Sequence, residues 1–169
     1  IGSPAFEGGE IDRGAGHIHP LNYAIGIARA AAQAGARLHE TSEVLTIDQG
    51  AKPVVRTAQG SVTCDQVILA GNGYLGGLAP KVAARVMPIN NFIVASEPLG
   101  SEAAKKLIAN NAAVADSRFV INYFRLTPDH RLLFGGGETY GYRFPADIKA
   151  FVRKPMLKIY PHLADVKID

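Results

Sequence analysis

The sequence predicts a chain of mixed α+β and α/β character, and three observations predict it. An alanine-striped helical run passes through a single glycine into a strand-like segment, as in the αβ units of parallel sheets. Short strand candidates separated by tight polar turns form a local meander and, later, a hairpin, both antiparallel signatures. The run Gln66–Ala70 is continuously apolar, the mark of a strand buried on both faces.

Residues 1–16 hold five glycines and a proline around little apolar material, and read as a loop or irregular edge strand. Helix 20–35 follows. Pro20 suits the first helical position, Leu21, Ala24, Ile25, Ala28, Ala31 and Ala32 recur at three- and four-residue steps, and Gly35 closes the run. Its alanine stripe allows close approach to a sheet. Strand 36–41 (ARLHET) completes the αβ unit. The meander comprises Glu43–Ile47, Pro53–Thr57 and Ser61–Thr63, with turns at 48–50 and 58–60. Strand 66–70 ends abruptly at the glycine-rich segment 71–77. Breaks at Pro80 and Pro88 precede a strand within Arg85–Glu97, centred on Ile89–Ala95. A short helix over Ser101–Asn111 has Ser101 as its cap. Phe119–Leu126 and Arg131–Gly135 make the hairpin across Thr127–His130. Residues 145–160 read as a helix interrupted at Pro155, and Lys167–Asp169 as part of another strand.

Composition sets outer bounds. The 169 residues are 47% hydrophobic and 20% charged, sufficient for a core and unlike a disordered chain. A net charge of +3 without any run of like charges gives no footprint for nucleic acid. No apolar stretch is long enough to span a membrane, and no charged-then-apolar leader opens the chain, so the expected setting is the cytoplasm. One cysteine, Cys64, excludes an intrachain disulfide and reads as a packing thiol. No serine lies in an elbow context, and no carboxylates pair for acid–base work.

Three clusters could carry chemistry. Gly71-Asn72-Gly73-Tyr74-Leu75-Gly76 matches G-x-G-x-x-G after a strand, the pattern that lets backbone amides approach a pyrophosphate. It opens no long helix, however, and the acidic residue due about 20 positions on is absent. A glycine turn at the edge of a ligand is therefore preferred to a nicotinamide dinucleotide fingerprint. His17 and His19 could share a metal, but no third ligand lies near, and no metal is assigned. A polar contact by His17, or a close pass of backbone to a flat ligand, fits this turn as well. In Asn122-Tyr123-Phe124-Arg125, strand alternation puts Tyr123 and Arg125 on one face, where they could bind a carboxylate or simply form a solvated surface. Gly135–Gly137 imply that some group approaches too closely for side chains.

The order GHIHP, an alanine-rich helix, GARLHETSEV, CDQVILAGNGY, PINNFIVASEPL and YFRLTPDHRLLFGGG resembles the FAD-dependent amine and D-amino-acid oxidoreductases of the glycine oxidase and sarcosine oxidase group. Nearly the whole chain takes part, and YFRLTPDHRLLFGGG is its most specific stretch. The resemblance implies a FAD-binding α/β domain interleaved with a largely antiparallel-sheet substrate domain. Residues 1–16 would end a substrate-domain segment, 17–80 would be part of the FAD-binding domain, and 81–169 a further substrate-domain segment. Val44 would lie by the adenine end of FAD; Gly71, Asn72, Gly73, His17 and Gly136 would border the cofactor. Tyr123 and Arg125 would meet a small-molecule amine substrate.

The chemistry implied is hydride transfer from the carbon beside the amine to the flavin, followed by hydrolysis of the imine. The amino-terminal G-x-G-x-x-G turn of such enzymes and their later flavin-covering segment find no counterpart here. The chain thus reads as an internal fragment, expected to bind FAD weakly or not at all in isolation. The competing reading is a non-catalytic α+β binding domain sharing only local patterns.

Overall fold

The computed structural model describes residues 1–141 and 143–169, which form two compact units: residues 19–88, and residues 1–18 together with 89–169.

The first of these begins with helix α1, Pro20–Gln33. His19 is its N-cap, with Nδ1 accepting from the Asn22 amide at 3.3 Å, and Pro20 stands where its missing N–H leaves no orphan. Gly35, at φ +96°, takes the left-handed conformation that ends the helix one residue after its Ala34 cap. Strands β1 (Val44–Asp48), β2 (Val54–Thr57) and β3 (Ser61–Thr63) then form an antiparallel sheet in the order β1-β2-β3. Cys64 packs against this meander, its Sγ directed at the Pro53 carbonyl at 3.6 Å.

Two expected strands are absent. Residues 36–41 and 66–70 are extended or irregular and pair with no strand among the described residues. No residue of α1 is buried, and Ile68 is 88% exposed. The physical reason is that a strand is a partnership: an interior strand of a parallel sheet needs neighbours on both sides to satisfy its amides and cover its apolar faces. Among the described residues the meander pairs only with itself.

The second unit holds the core. Strands β4 (Ile89–Ala95), β5 (Val114–Ala115), β6 (Tyr123–Leu126) and β7 (Leu132–Tyr140) form an antiparallel sheet in the order β4-β7-β6-β5. Phe92, Val94, Phe124, Leu126, Leu132 and Phe134 alternate inward and pack with residues of helices α3 (Ser101–Leu107) and α4 (Ile148–Ile159). Tyr160 lies wholly inside, its hydroxyl donating to the Leu107 carbonyl at 3.2 Å, and burial pushes its phenol well above the ordinary value.

Three local expectations change. Helix α3 ends at Leu107 rather than Asn111, because Ile108 turns extended and is itself buried; Gly100, not Ser101, is the N-cap. Pro155 does not interrupt α4. Val152, Met156 and Ile159 are buried on one face around it, and this packing outweighs the hydrogen bond that proline cannot make. The irregular segment 1–16 joins the core non-locally. Phe6 packs against Phe124, and the Gly2 amide donates to the Leu107 carbonyl at 2.9 Å, in a space where a Cβ would collide with Lys106. At the other end, Ile168 bridges Ser96 antiparallel to β4, consistent with the strand read at 167–169.

Asp116 organises the entry to β6. Its side chain is only 4% exposed; it accepts from the Asn122 amide at 3.0 Å and from Asn122 Nδ2 at 2.7 Å, and pairs with Arg118 Nε at 3.4 Å. Replacing it with alanine leaves the buried Asn122 donors unsatisfied, for an expected loss of about 1–3 kcal/mol. Urea unfolding followed by tyrosine fluorescence measures this, with Asp116→Asn, which retains one acceptor oxygen, as the milder comparison.

Candidate active-site face

The helices cover one side of the four-stranded sheet, and the other side presents the predicted substrate residues. With Phe124 and Leu126 turned into the core, Tyr123 and Arg125 stand half-buried on the opposite face. Tyr123 is opposite Gly135, which in turn is opposite Ile93 of β4. A Cβ on Gly135 would fall 2.2 Å from Tyr123 Cζ and 2.3 Å from Cε2. The glycine is therefore a notch, and the tyrosine ring lies in it across β7.

At the far side of that notch the Tyr123 hydroxyl donates to Asn91 Oδ1. Partial burial raises the phenol above its ordinary value of 10.0, so it stays protonated at physiological pH. Arg125 donates from Nη1 to the Leu126 carbonyl at 3.2 Å, and no carboxylate pairs with it among the described residues. A guanidinium without an acidic partner beside a neutral phenol can receive an anionic group and a hydrogen-bonding group together.

The other two glycines have different occupants. Gly136 makes room on the helical side, where a Cβ would lie 2.7 Å from Asn122 Oδ1 and 3.5 Å from Pro155. Gly137, at φ +76°, admits the Phe151 ring, whose Cε1 would be 2.4 Å from a Cβ. The requirement for small residues at 135–137 is thus met within this unit. Near-by in sequence but not in role, His17 donates from Nε2 to the Asn111 carbonyl at 2.9 Å, whereas His19 caps α1.

In the unit of residues 19–88, Val44 opens β1 opposite Thr57, half-buried on an edge strand. Gly71, Asn72 and Gly73 form an exposed turn that enters a 3₁₀ segment, with Asn72 at φ +44°. No atom comes within 4 Å of where a Gly73 Cβ would stand, so this backbone is bare and approachable. The next helix, α2 (Pro80–Ala83), has four residues, which removes the long helix that a nicotinamide dinucleotide fingerprint would open. Among the described residues, no group of three or more His, Cys, Asp or Glu is placed to hold a metal ion, and no helix is long and apolar enough to cross a membrane.

The FAD dependent oxidoreductase (DAO) family model matches residues 2–169. The chain belongs to that family.

The DAO assignment shows that the likeness is not confined to local patterns, and so decides against the reading of an unrelated binding domain. Gamma-glutamylputrescine oxidoreductase of Escherichia coli (strain K12) is 44% identical over 170 residues, covering 100% of this chain and 40% of that protein. The probable oxidoreductase OrdL of Rhizobium meliloti (strain 1021) is also 44% identical, over 169 residues, covering 99% of this chain and 39% of its own. This DAO chain thus spans about 40% of the length of the curated relatives it matches.

Solved structures share the fold. L-proline dehydrogenase from P. horikoshii aligns with TM-score 0.66 at 21% identity, covering 89% of this chain and 41% of that one. Glycine oxidase from Geobacillus kaustophilus aligns with TM-score 0.57 at 22% identity, covering 85% and 38%. The DAO fold therefore accounts for the mixed architecture with antiparallel sheets.

Asn91 is the residue of this face that sequence reasoning missed. Alternation in Ile89–Ala95 puts Asn91 and Ile93 on the outward side, and that much was readable. That β4 would lie beside β7, and so within reach of Tyr123, was not.

Proposed function

We propose that this chain is part of a FAD-dependent oxidoreductase of the cytoplasm that oxidises an amine, with Tyr123 and Arg125 on its substrate side. The observation that carries the reading is the open sheet face, where Arg125 has no acidic partner among the described residues and Tyr123 is held in the Gly135 notch. The 44% identity to a protein named for oxidising a gamma-glutamyl amine supports an amine that also bears a carboxylate.

The unit of residues 19–88 offers a surface that could form one border of a flavin dinucleotide. The Gly71–Gly73 turn offers uncovered backbone, with open space where a Gly73 side chain would stand, and Val44 begins an edge strand. In this reading Val44 lies by the adenine end, and Gly71, Asn72 and Gly73 border the cofactor. When bound, FAD supplies the two-electron acceptor for the hydride leaving the carbon beside the amine. The protein's own part is to bind and orient: Arg125 holds the anionic end of the substrate, and the neutral Tyr123 phenol hydrogen-bonds without adding charge.

The test is anaerobic addition of amines to the full-length, flavin-loaded protein. The panel comprises an α-amino acid, an N-methyl amino acid, a γ-glutamyl amine and a diamine without a carboxylate. The expected result is loss of oxidised-flavin absorbance at lower concentrations of a carboxylate-bearing amine than of the plain diamine. A flavin left oxidised by every amine overturns the proposal.

A further inference from the structure

We propose that Asn91 is a positioning residue that sets the hydrogen-bonding role of Tyr123: by taking the phenol proton, it presents Tyr123 to the substrate as an acceptor for the amine N–H. The inference rests on the amine-oxidising reading above and deepens it, because it assigns the two polar groups of the face to opposite ends of the substrate.

The argument begins with the ring's confinement. Gly135 removes the side chain that would otherwise stand beneath Tyr123, and the nearest ring atoms occupy its place. The register of β4 against β7 breaks between Asn91 and Ile93, where Asn91 is opposite Glu138 and Ile93 opposite Gly135. The extra residue lies on β7, where Gly136 and Gly137 stand against the single Phe92 of β4, so it is β7 that bends there and offsets Asn91 from the Gly135 notch. Here Asn91 receives the hydroxyl of a ring that started on β6, with β7 between them.

A phenol has one proton to donate. It goes to Asn91 Oδ1, so what Tyr123 has left for a ligand is the lone-pair side of its oxygen. A carboxylate has only lone pairs and gains nothing there, while an amine N–H does. The carboxylate therefore falls to Arg125, two residues along the same strand and about 7 Å away by backbone rise. This arrangement is proposed in place of phenol and guanidinium sharing one carboxylate. It suits an amine separated from its carboxylate by several bonds better than an α-amino acid.

The test is a mutant cycle in the full-length flavoprotein, using a γ-glutamyl amine and the same amine lacking the α-carboxylate. Asn91→Ala is expected to raise KM about three- to tenfold, the worth of one oriented hydrogen bond, with kcat changed less than about twofold. The double variant Asn91→Ala/Tyr123→Phe is expected to be no worse than Tyr123→Phe alone, and the Asn91→Ala effect to persist with the decarboxylated amine. Gly135→Ala, which displaces the far end of the tyrosine ring from its notch, is expected to give the same KM defect.

Additive effects of Asn91→Ala and Tyr123→Phe, or an Asn91→Ala effect that vanishes when the carboxylate is removed, would overturn the assignment. A silent Asn91→Ala beside a defective Tyr123→Phe sinks this inference and leaves the amine-binding face intact. Tyr123→Phe and Arg125→Gln both silent would sink the face itself.

Discussion

Phe134→Ala is expected to destabilise the unit of residues 1–18 and 89–169 by about 3–5 kcal/mol, a large share of the stability of a domain this size. Phe134 is 0% exposed and lies in the middle of β7, where it is paired with Phe124 across the ladder. The two rings stack with centroids 5.4 Å apart and planes within 6°. Phe124 in turn meets Tyr160 edge-on at 5.5 Å and Phe6 at 6.3 Å. Removing the central ring loses its own burial and leaves a cavity walled by groups from β6, α4 and the amino-terminal segment, which cannot all collapse inward together. Urea unfolding checks this directly. With six tyrosines and no tryptophan, tyrosine fluorescence follows the transition, and the midpoint should fall without a large change in slope. A loss below about 1 kcal/mol would show that the aromatic column is not the centre of this core.

The second large effect belongs to Arg125. Arg125→Gln in the full-length protein is expected to raise KM for a carboxylate-bearing amine about ten- to a hundredfold, because a charge-assisted, bidentate pair is replaced by a neutral hydrogen bond. On the proposed reading, with the amine at Tyr123 and the carboxylate at Arg125, the kcat value should change far less, since the anionic end would then be bound alike in ground and transition states. The guanidinium makes no ion pair among the described residues, so its removal should leave folding nearly unchanged. An amine without a carboxylate provides the internal control: its KM should be insensitive to the substitution. Equal losses with both substrates would remove Arg125 from carboxylate recognition.

Legibility in the sequence followed the range of the interactions involved. The β6–β7 hairpin and the β1–β3 meander were readable because alternation and turn residues are local, and antiparallel neighbours supply one another's hydrogen bonds. Segment 66–70 has the composition of an interior strand and 36–41 the position of one after its helix, but neither property provides a partner, and both stay unpaired among the described residues. Helix α4 errs the other way: Pro155 is a local signal to break, overridden by the burial of Val152, Met156 and Ile159. The site divides along the same line. Two residues at i and i+2 on a strand share a face, so Tyr123 and Arg125 could be grouped from the sequence. Asn91 is 32 residues from Tyr123, and reaches it only because β4 pairs with β7 rather than with its nearer neighbours in sequence.

The sequence by itself determined the family, the hairpin with its outward tyrosine and arginine, and the positions where side chains must be missing. Only the tertiary structure decided what fills them: Tyr123 over Gly135, Asn122 beside Gly136 and Phe151 against Gly137. The reason is physical. A residue's own alternation and turn chemistry are written in its neighbours along the chain, whereas a close approach is a property of two segments, and the pairing that makes it is settled only when non-local strands and helices bury their apolar faces together.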